Sequence, residues 1–387
     1  MAKTKTYEEI NEKIKSGKVT VVTAEEIIPM VKEEGPAAVL EKVDVVTTAT
    51  FGPMCSSGLF INFGHSDPPI KMSRVWLNDV PAYAGLAAVD VYLGATELSE
   101  SQGMTYGGAH VIEELVAGKK VRLKATASGT DCYPRREIAT NVGLEDLNQA
   151  YLFNPRNAYQ NYSVAVNSTE RPIHTYMGTL LPHLGNATFS TAGELSPLFN
   201  DPHYEVIGIG TRILLGGGEG YVAWEGTQHN PAQKRNENGT PVGAAGTLAV
   251  IGDLRGMNPD YLRAAVFYKY GVSLYVGIGI PIPLLNEEIV MRVGVGNEEL
   301  KATIFDYGAP KRNRPALGVV SYAQLRSGKI EINNRTIPTA SLSSLYKARQ
   351  IAAELKERII NGRFLLSTPV EKLPFRDGVK PLHEEVK

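Results

Sequence analysis

VSLYVGIGIPIPLL, residues 272–285, decides how the chain is read. It is the best candidate for a membrane span, yet it is shorter than the ~20 residues a span needs and carries Pro281 and Pro283. The consistent reading is a buried β-strand and its exit. Two upstream stretches share its character: EVIGIGTRILLGGGEGYVAWEGTQ (205–228) and GTLAVIGDLRGM (246–257) are also β-runs broken by glycines. They show no fixed period, so neither a solenoid nor a propeller is supported.

Working outward, Thr6 with Glu9 and Thr23 with Glu26 fit the capping box that opens a helix. Two N-terminal helices are expected, with a short strand at VTVVTA between them. A third helix over 37–42 leads into VDVVTTATF (43–51), a β-branched strand that ends at Gly52-Pro53. Further strands are expected at GLFINFG, VWLNDVPAYAG, AAVDVYLGATEL and VRLKATASG, with a short helix over 110–116. SLSSLYKARQIAAELKERIING lines up Leu345, Ala348, Ala352, Leu355 and Ile359 on one stripe, which predicts a long amphipathic helix. The fold class expected is α+β, a large mixed β-sheet core with flanking helices. The chain reads as a single domain, with two lobes at about 1–160 and 161–364 left open and a Pro/Lys/Glu-rich tail over 365–387.

Forty basic residues face forty-one acidic ones, a net charge of −1 without long single-sign runs. This argues against a nucleic-acid or anionic-membrane surface. The charged start, MAKTKTYEEINEKIKSG, lacks the apolar core of a signal peptide, so a cytoplasmic location is expected. Two cysteines in a reducing compartment read as free thiols and are too few for an all-cysteine metal or cluster site.

Both cysteines follow a β-run in a small-residue turn. Cys55 lies in GPMCSSG, where backbone amides and the Ser56 and Ser57 hydroxyls can stabilise a thiolate; inert packing is the alternative. Cys132 lies in SGTDCYP with Ser128 and Thr130, followed by Arg135 and Arg136. Those guanidiniums can lower a thiol pKa or grip a substrate carboxylate, or be solvated surface charges. His65, in FGHSDPP, is a candidate acid–base group. His174 and His183 do not match metal-ligand spacing, and no metal is expected. GIGTRILLGGGEG (208–220) lacks the phosphate-loop pattern GxxxxGK[ST], and no GxSxG elbow is present. Residues 230–246 read as a polar loop that could serve as a lid, and 308–315 as a basic one.

Four segments carry a resemblance: TFGPMCSSGLFINFGHSDPP (50–69), VWLNDVPAYAGLAAVDVYLGATE (75–97), RLKATASGTDCYPRRE (122–137) and LGGGEGYVAWEGTQHNP (215–231). They resemble the homocysteine-biosynthesis family of methanogens and other anaerobes, over nearly the whole chain. The resemblance implies sulfur insertion, from sulfide or a cysteine persulfide, into L-aspartate semialdehyde, with two-electron reduction to L-homocysteine. It implies that Cys55 and Cys132 are the family's two cysteines, one able to carry a persulfide. It also implies a ferredoxin-like iron–sulfur protein as external reductant and no tightly bound cofactor; the paired CBS modules of some members are not expected here. A homo-oligomer stays open.

The expected chemistry is a thiolate or persulfide adding to an aldehyde. One cysteine delivers sulfur, Cys55 being preferred at the carbonyl, and the other resolves the linkage as a disulfide that external electrons reset. His65 is expected to protonate the oxygen, with Arg135 or Arg136 on the carboxylate and Ser56, Ser57, Ser128 and Thr130 around the substrate. The alternatives are a non-catalytic persulfide carrier and a nucleotide-dependent oxidoreductase using the central glycines.

Overall fold

The computed structural model describes residues 4–376 and 378–382. The stretch that opened the sequence reading is the backbone of the fold. It forms strand Gly271–Pro283, paired along nine positions with strand Val45–Pro53, from Val45 opposite Pro283 to Pro53 opposite Tyr275. Its other edge is shared: the first half pairs with Leu262–Phe267, and Ile278 and Gly279 pair with Leu215 and Leu214 of the strand Arg212–Leu215. Both faces are buried along most of its length, which is why it reads as a continuous apolar run.

From this strand a ten-stranded sheet extends in the order Val21–Thr23, Val45–Pro53, Gly271–Pro283, Arg212–Leu215, Gly218–Glu225, Leu248–Asp253, Gln149–Asn157, Gly58–Asn62 and Asp90–Gly94, with Leu262–Phe267 added beside the central strand. The first pair is parallel and the rest antiparallel, so the sheet is mixed and the fold is α+β. The glycine-rich segment serves this sheet. Gly216 and Gly217, both at positive φ, make the two-residue turn between Arg212–Leu215 and Gly218–Glu225, the turn geometry that glycine permits most easily.

The long helix forms as its stripe predicts, over Leu345–Ile360, with the Ser344 side chain capping its start. Ala348, Ile351, Ala352, Leu355 and Ile359 are buried against the central strand and its 45–53 neighbour. The approach is close because Gly277 has no side chain: a Cβ there would lie 2.7 Å from Ile351 Cδ1. The two N-terminal helices, Tyr7–Lys15 and Ala24–Glu34, both carry full capping boxes. The first is anchored by buried Asp44, whose carboxylate accepts from Lys5, Lys13 and the Thr20 amide at 2.6–3.0 Å. Burial alone would raise Asp44, but the hydrogen bonds from Lys13 and Lys5 outweigh it and hold the group below the usual carboxylate range.

Two smaller sheets, beside two two-stranded ones (Leu98–Ser99 with Gly103–Gly107, and Ile173–Thr175 with Gly178–Leu180), complete the described residues. One, of four strands, runs Glu137–Val142, Val121–Thr126, Arg74–Leu77 and Val80–Ala82. The other, of six, runs Ala316–Ser321, Lys301–Asp306, Val164–Val166, Ala187–Phe189, Arg335–Ser341 and Lys329–Ile332, and has its own apolar cluster around Phe199 and Tyr322. The polar loop over 230–246 is fastened to this second sheet: Asn161 donates to the Pro241 carbonyl and the Thr303 amide to that of Val242. Within the described part of the tail, Val370 and Glu371 hydrogen-bond across Ile209. No helix among the described residues is long and apolar enough to cross a membrane.

Candidate active site

Cys55 occupies the turn that leaves strand Val45–Pro53. The turn is pinned at both ends: the Met54 amide donates to the Leu274 carbonyl at 2.8 Å, and the Ser57 amide to the Met54 carbonyl at 3.0 Å. The Ser57 hydroxyl donates to that same carbonyl at 2.7 Å and accepts from Asn154 Nδ2 at 2.8 Å. Ser57 therefore fastens the turn, while the buried Ser56 Oγ has no hydrogen-bond partner. The Cys55 thiol is half-buried, and the fully buried Ser273 hydroxyl donates to its Sγ at 3.3 Å. This contact fixes the position of the sulfur at the cavity wall.

The thiol opens on a cavity of about 230 Å³, lined also by Pro53, Arg156, Tyr159, Tyr162, Tyr176, Met177, Ser190, Gln228, Tyr270 and Leu342. It lies where the ten-stranded sheet meets the six-stranded one. Cys55 and Arg156 come from the first, Ser190 follows the strand Ala187–Phe189 of the second, and Tyr270 comes from the turn before the central strand. Tyr176 and Met177 form the tip of the small hairpin that joins Ile173–Thr175 to Gly178–Leu180.

Arg156 reaches the cavity through a β-bulge. The ladder between Gln149–Asn157 and Leu248–Asp253 runs in register to Asn154 and resumes, shifted, at Asn157. The Asn154 side-chain carbonyl accepts from the Arg156 amide at 2.9 Å and fixes the bulge, which re-aims the side chain. Arg156 Nε is buried with no hydrogen-bond partner in the protein. Among the described residues lining the cavity it is the one lysine or arginine, and no aspartate or glutamate joins it.

The tyrosines pack edge to face: Tyr159 on Tyr162 with ring centres 5.2 Å apart, Tyr162 on Tyr176 at 6.3 Å and Tyr176 on Tyr270 at 6.2 Å. Burial pushes Tyr159 up to about 12, the Arg156 charge opposing only in part. Burial also raises Tyr162, reinforced by Tyr176 and Tyr307, and raises Tyr270, reinforced by the neighbouring Cys55. These phenols stay protonated and can donate to an oxygen that gains charge.

The other residues singled out from sequence gather elsewhere. Cys132 is exposed, in a turn closed by reciprocal backbone bonds between Thr130 and Tyr133. This turn docks on the loop that follows strand Gly58–Asn62. There Arg135 donates to the Pro68 and Asp67 carbonyls at 2.9 and 2.5 Å, and His65 stacks on Tyr133 with ring centres 5.8 Å apart. Ser128, Thr130 and Arg136 are exposed on the same turn. The structure thus brings Cys132, His65 and Arg135 together, and leaves Cys55 apart with Ser56 and Ser57. None of His65, Cys132, Arg135 and Arg136 lines the Cys55 cavity.

Sequence reasoning missed Arg156 and the tyrosines. The one available signal was Asn154-Pro155, a break inside a strand that marks a bulge.

Residues 19–366 match the family described as "Homocysteine biosynthesis enzyme, sulfur-incorporation". The chain is similar to an L-aspartate semialdehyde sulfurtransferase of Methanosarcina acetivorans, 52% identical over 380 residues, covering 98% of this chain and 74% of that protein. It is also similar to the protein of that name from Methanocaldococcus jannaschii, 53% identical over 384 residues, covering 95% and 73%. A protein of Methanothermobacter thermautotrophicus is 30% identical over 335 residues, covering 83% and 72%. No solved structure matches.

Proposed function

The chain belongs to the homocysteine biosynthesis, sulfur-incorporation family, and on that ground we propose that it is an L-aspartate semialdehyde sulfurtransferase whose chemistry takes place in the Cys55 cavity. The observation that carries the location is the placement of a hydrogen-bonded thiol and a guanidinium with a free nitrogen in one cavity walled by neutral phenols. An aldehyde bearing a carboxylate needs a sulfur nucleophile, an anion anchor and a proton donor at oxygen. Arg156 anchors the carboxylate, and Tyr159 or Tyr270 donates to the carbonyl oxygen.

The cycle closes with two thiols. Sulfide attacks a Cys55–Cys132 disulfide at Cys55, giving a Cys55 persulfide and a Cys132 thiolate. The terminal sulfur adds to the carbonyl carbon while the C=O electron pair moves to oxygen and takes a proton. The Cys132 thiolate then attacks Cys55 Sγ, re-forming the disulfide and expelling the sulfur on the substrate as a hydroxythiol anion. Protonation and loss of water leave a thioaldehyde, which two electrons and two protons reduce to the thiol. The sum is aldehyde, hydrogen sulfide, two electrons and two protons giving homocysteine and water. The electrons enter from outside the chain, a ferredoxin-like iron–sulfur protein being the donor proposed. For Cys132 to reach Cys55, the 127–136 turn leaves its dock on the 63–70 loop.

The test is homocysteine formation from aspartate semialdehyde, sulfide and reductant. Cys55→Ala abolishes turnover, and so does Cys132→Ala on sulfide, having no disulfide for sulfide to open; Cys132→Ala passes on a single sulfur when Cys55 is preloaded as a persulfide from polysulfide and a small thiol takes over the resolving step. Full multiple turnover by Cys55→Ala would remove the cavity from the reaction. Unaided multiple turnover by Cys132→Ala would remove the relay.

A further inference from the structure

The cavity offers a partner to one of the two charges on the substrate's α-carbon and none to the other. Arg156 offers a buried guanidinium nitrogen without a partner, while no carboxylate side chain among the described lining residues faces it. A substrate carboxylate therefore gains a charge-assisted contact inside. The α-ammonium on the same carbon meets no protein carboxylate, its one counter-charge being the substrate carboxylate that Arg156 already holds. Without a protein partner it contributes little to binding.

Resting on the assignment of the reaction to this cavity, we propose that the protein acts on short ω-oxo carboxylic acids as a class and converts the amino-free four-carbon member, 4-oxobutanoate, to 4-sulfanylbutanoate. The balance is that of the amino acid: 4-oxobutanoate, hydrogen sulfide, two electrons and two protons give 4-sulfanylbutanoate and water. The C=O bond breaks, C–S and C–H bonds form, and the oxygen leaves as water. The electrons come from a dithiol, which becomes its disulfide.

The experiment compares aspartate semialdehyde, 4-oxobutanoate and butanal with sulfide and the dithiol, following thiol product by mass. With an ammonium that meets no protein carboxylate contributing at most about 1 kcal/mol, kcat/KM for 4-oxobutanoate falls within roughly tenfold of that for aspartate semialdehyde. Butanal, without a carboxylate, falls by at least about a hundredfold. Arg156→Gln erases the gap between 4-oxobutanoate and butanal. A second readout needs no turnover: iodoacetate, an anion, alkylates Cys55 faster relative to iodoacetamide in the native protein than in Arg156→Gln.

If aspartate semialdehyde is converted and 4-oxobutanoate is rejected by a hundredfold or more, the ammonium is recognised, as it would be over the tyrosine faces, and the proposal is overturned. Equal conversion of butanal overturns it as well. If aspartate semialdehyde itself is not converted, the assignment of the reaction fails, and the alkylation ratio still decides whether Arg156 reads anions at Cys55.

Discussion

A hydroxyl 3.3 Å from a thiol sulfur holds that sulfur in one place. Ser273 is fully buried on the central strand, so its hydroxyl has few competing partners and works as a fixed positioning group for Cys55. Ser273→Ala removes the donor and leaves the cavity shape nearly unchanged. Alkylation of Cys55 by iodoacetamide at fixed pH then slows, by about tenfold if the lost bond contributes ~1.4 kcal/mol to the transition state. Exposed Cys132 keeps its rate and serves as the internal control. Ser273→Thr, which retains a donor, recovers part of the rate; an unchanged Cys55 rate in the alanine variant would show that the contact does not position the thiol.

At the scale of elements, the β-bulge and the glycines of the central strand do the positioning. The bulge at Asn154–Asn157 turns Arg156 into the cavity, and Gly277 lets the long helix settle on the sheet that carries Cys55 and Ser273. Gly277→Ala places a methyl 2.7 Å from Ile351 Cδ1, with Tyr261 Cβ and Phe51 Cδ2 at 3.2 and 3.4 Å, and overpacks the core. The expected loss is about 1–3 kcal/mol in urea unfolding. Because the nearest atom is one methyl, Ile351→Val in the same chain recovers part of that loss, a coupling a double-mutant cycle measures. Additive losses in the double variant would mean that the helix does not feel position 277 through Ile351.

These elements also show what was legible. Val272–Leu285 was readable as a strand because Pro281 and Pro283 rule out a helix, and the capping boxes at Thr6 and Thr23 because their partners lie three residues away. The six-stranded sheet was only partly legible: a strand was readable in NYSVAVNS around Val164–Val166, but Ala187–Phe189 is three residues long, too short for an alternation to show. Of the site, Cys55 and its turn could be found, since a thiol among small residues is a local signal. Arg156, Tyr176 and Tyr270 could not: they meet Cys55 from positions 101 to 215 residues away along the chain, and nothing local in each announces the meeting. His65 and Arg135 gather at the Cys132 turn and do not line the Cys55 cavity.

For the molecule as a whole, the buried tyrosines set an alkaline limit. Tyr159, Tyr204 and Tyr261 are pushed up to about 12, chiefly by burial, and Tyr162, Tyr307 and Tyr322 are raised further. In the unfolded chain a tyrosine ionises near pH 10. A folded pKa above that value contributes stability that is whole below pH 10 and is lost as pH rises toward and through 12. The fold is therefore expected to hold to about pH 10 and to give way cooperatively above it, with tyrosinate absorbance and far-ultraviolet circular dichroism changing together. Gradual tyrosine ionisation near pH 10 with the dichroism intact would show that the phenols are not sequestered.

The pairing of Val45–Pro53 with Gly271–Pro283 also has a history in time. The strand that leads into Cys55 leaves the ribosome early, while its partner is still more than two hundred residues from being made. At about 5–20 residues per second, translation leaves that β-branched strand waiting roughly 10–50 seconds for the edge it belongs to. During that interval Cys55 is an ordinary open thiol beside an unpaired strand, so newborn chains are more vulnerable to oxidants and to chance strand pairing than finished ones.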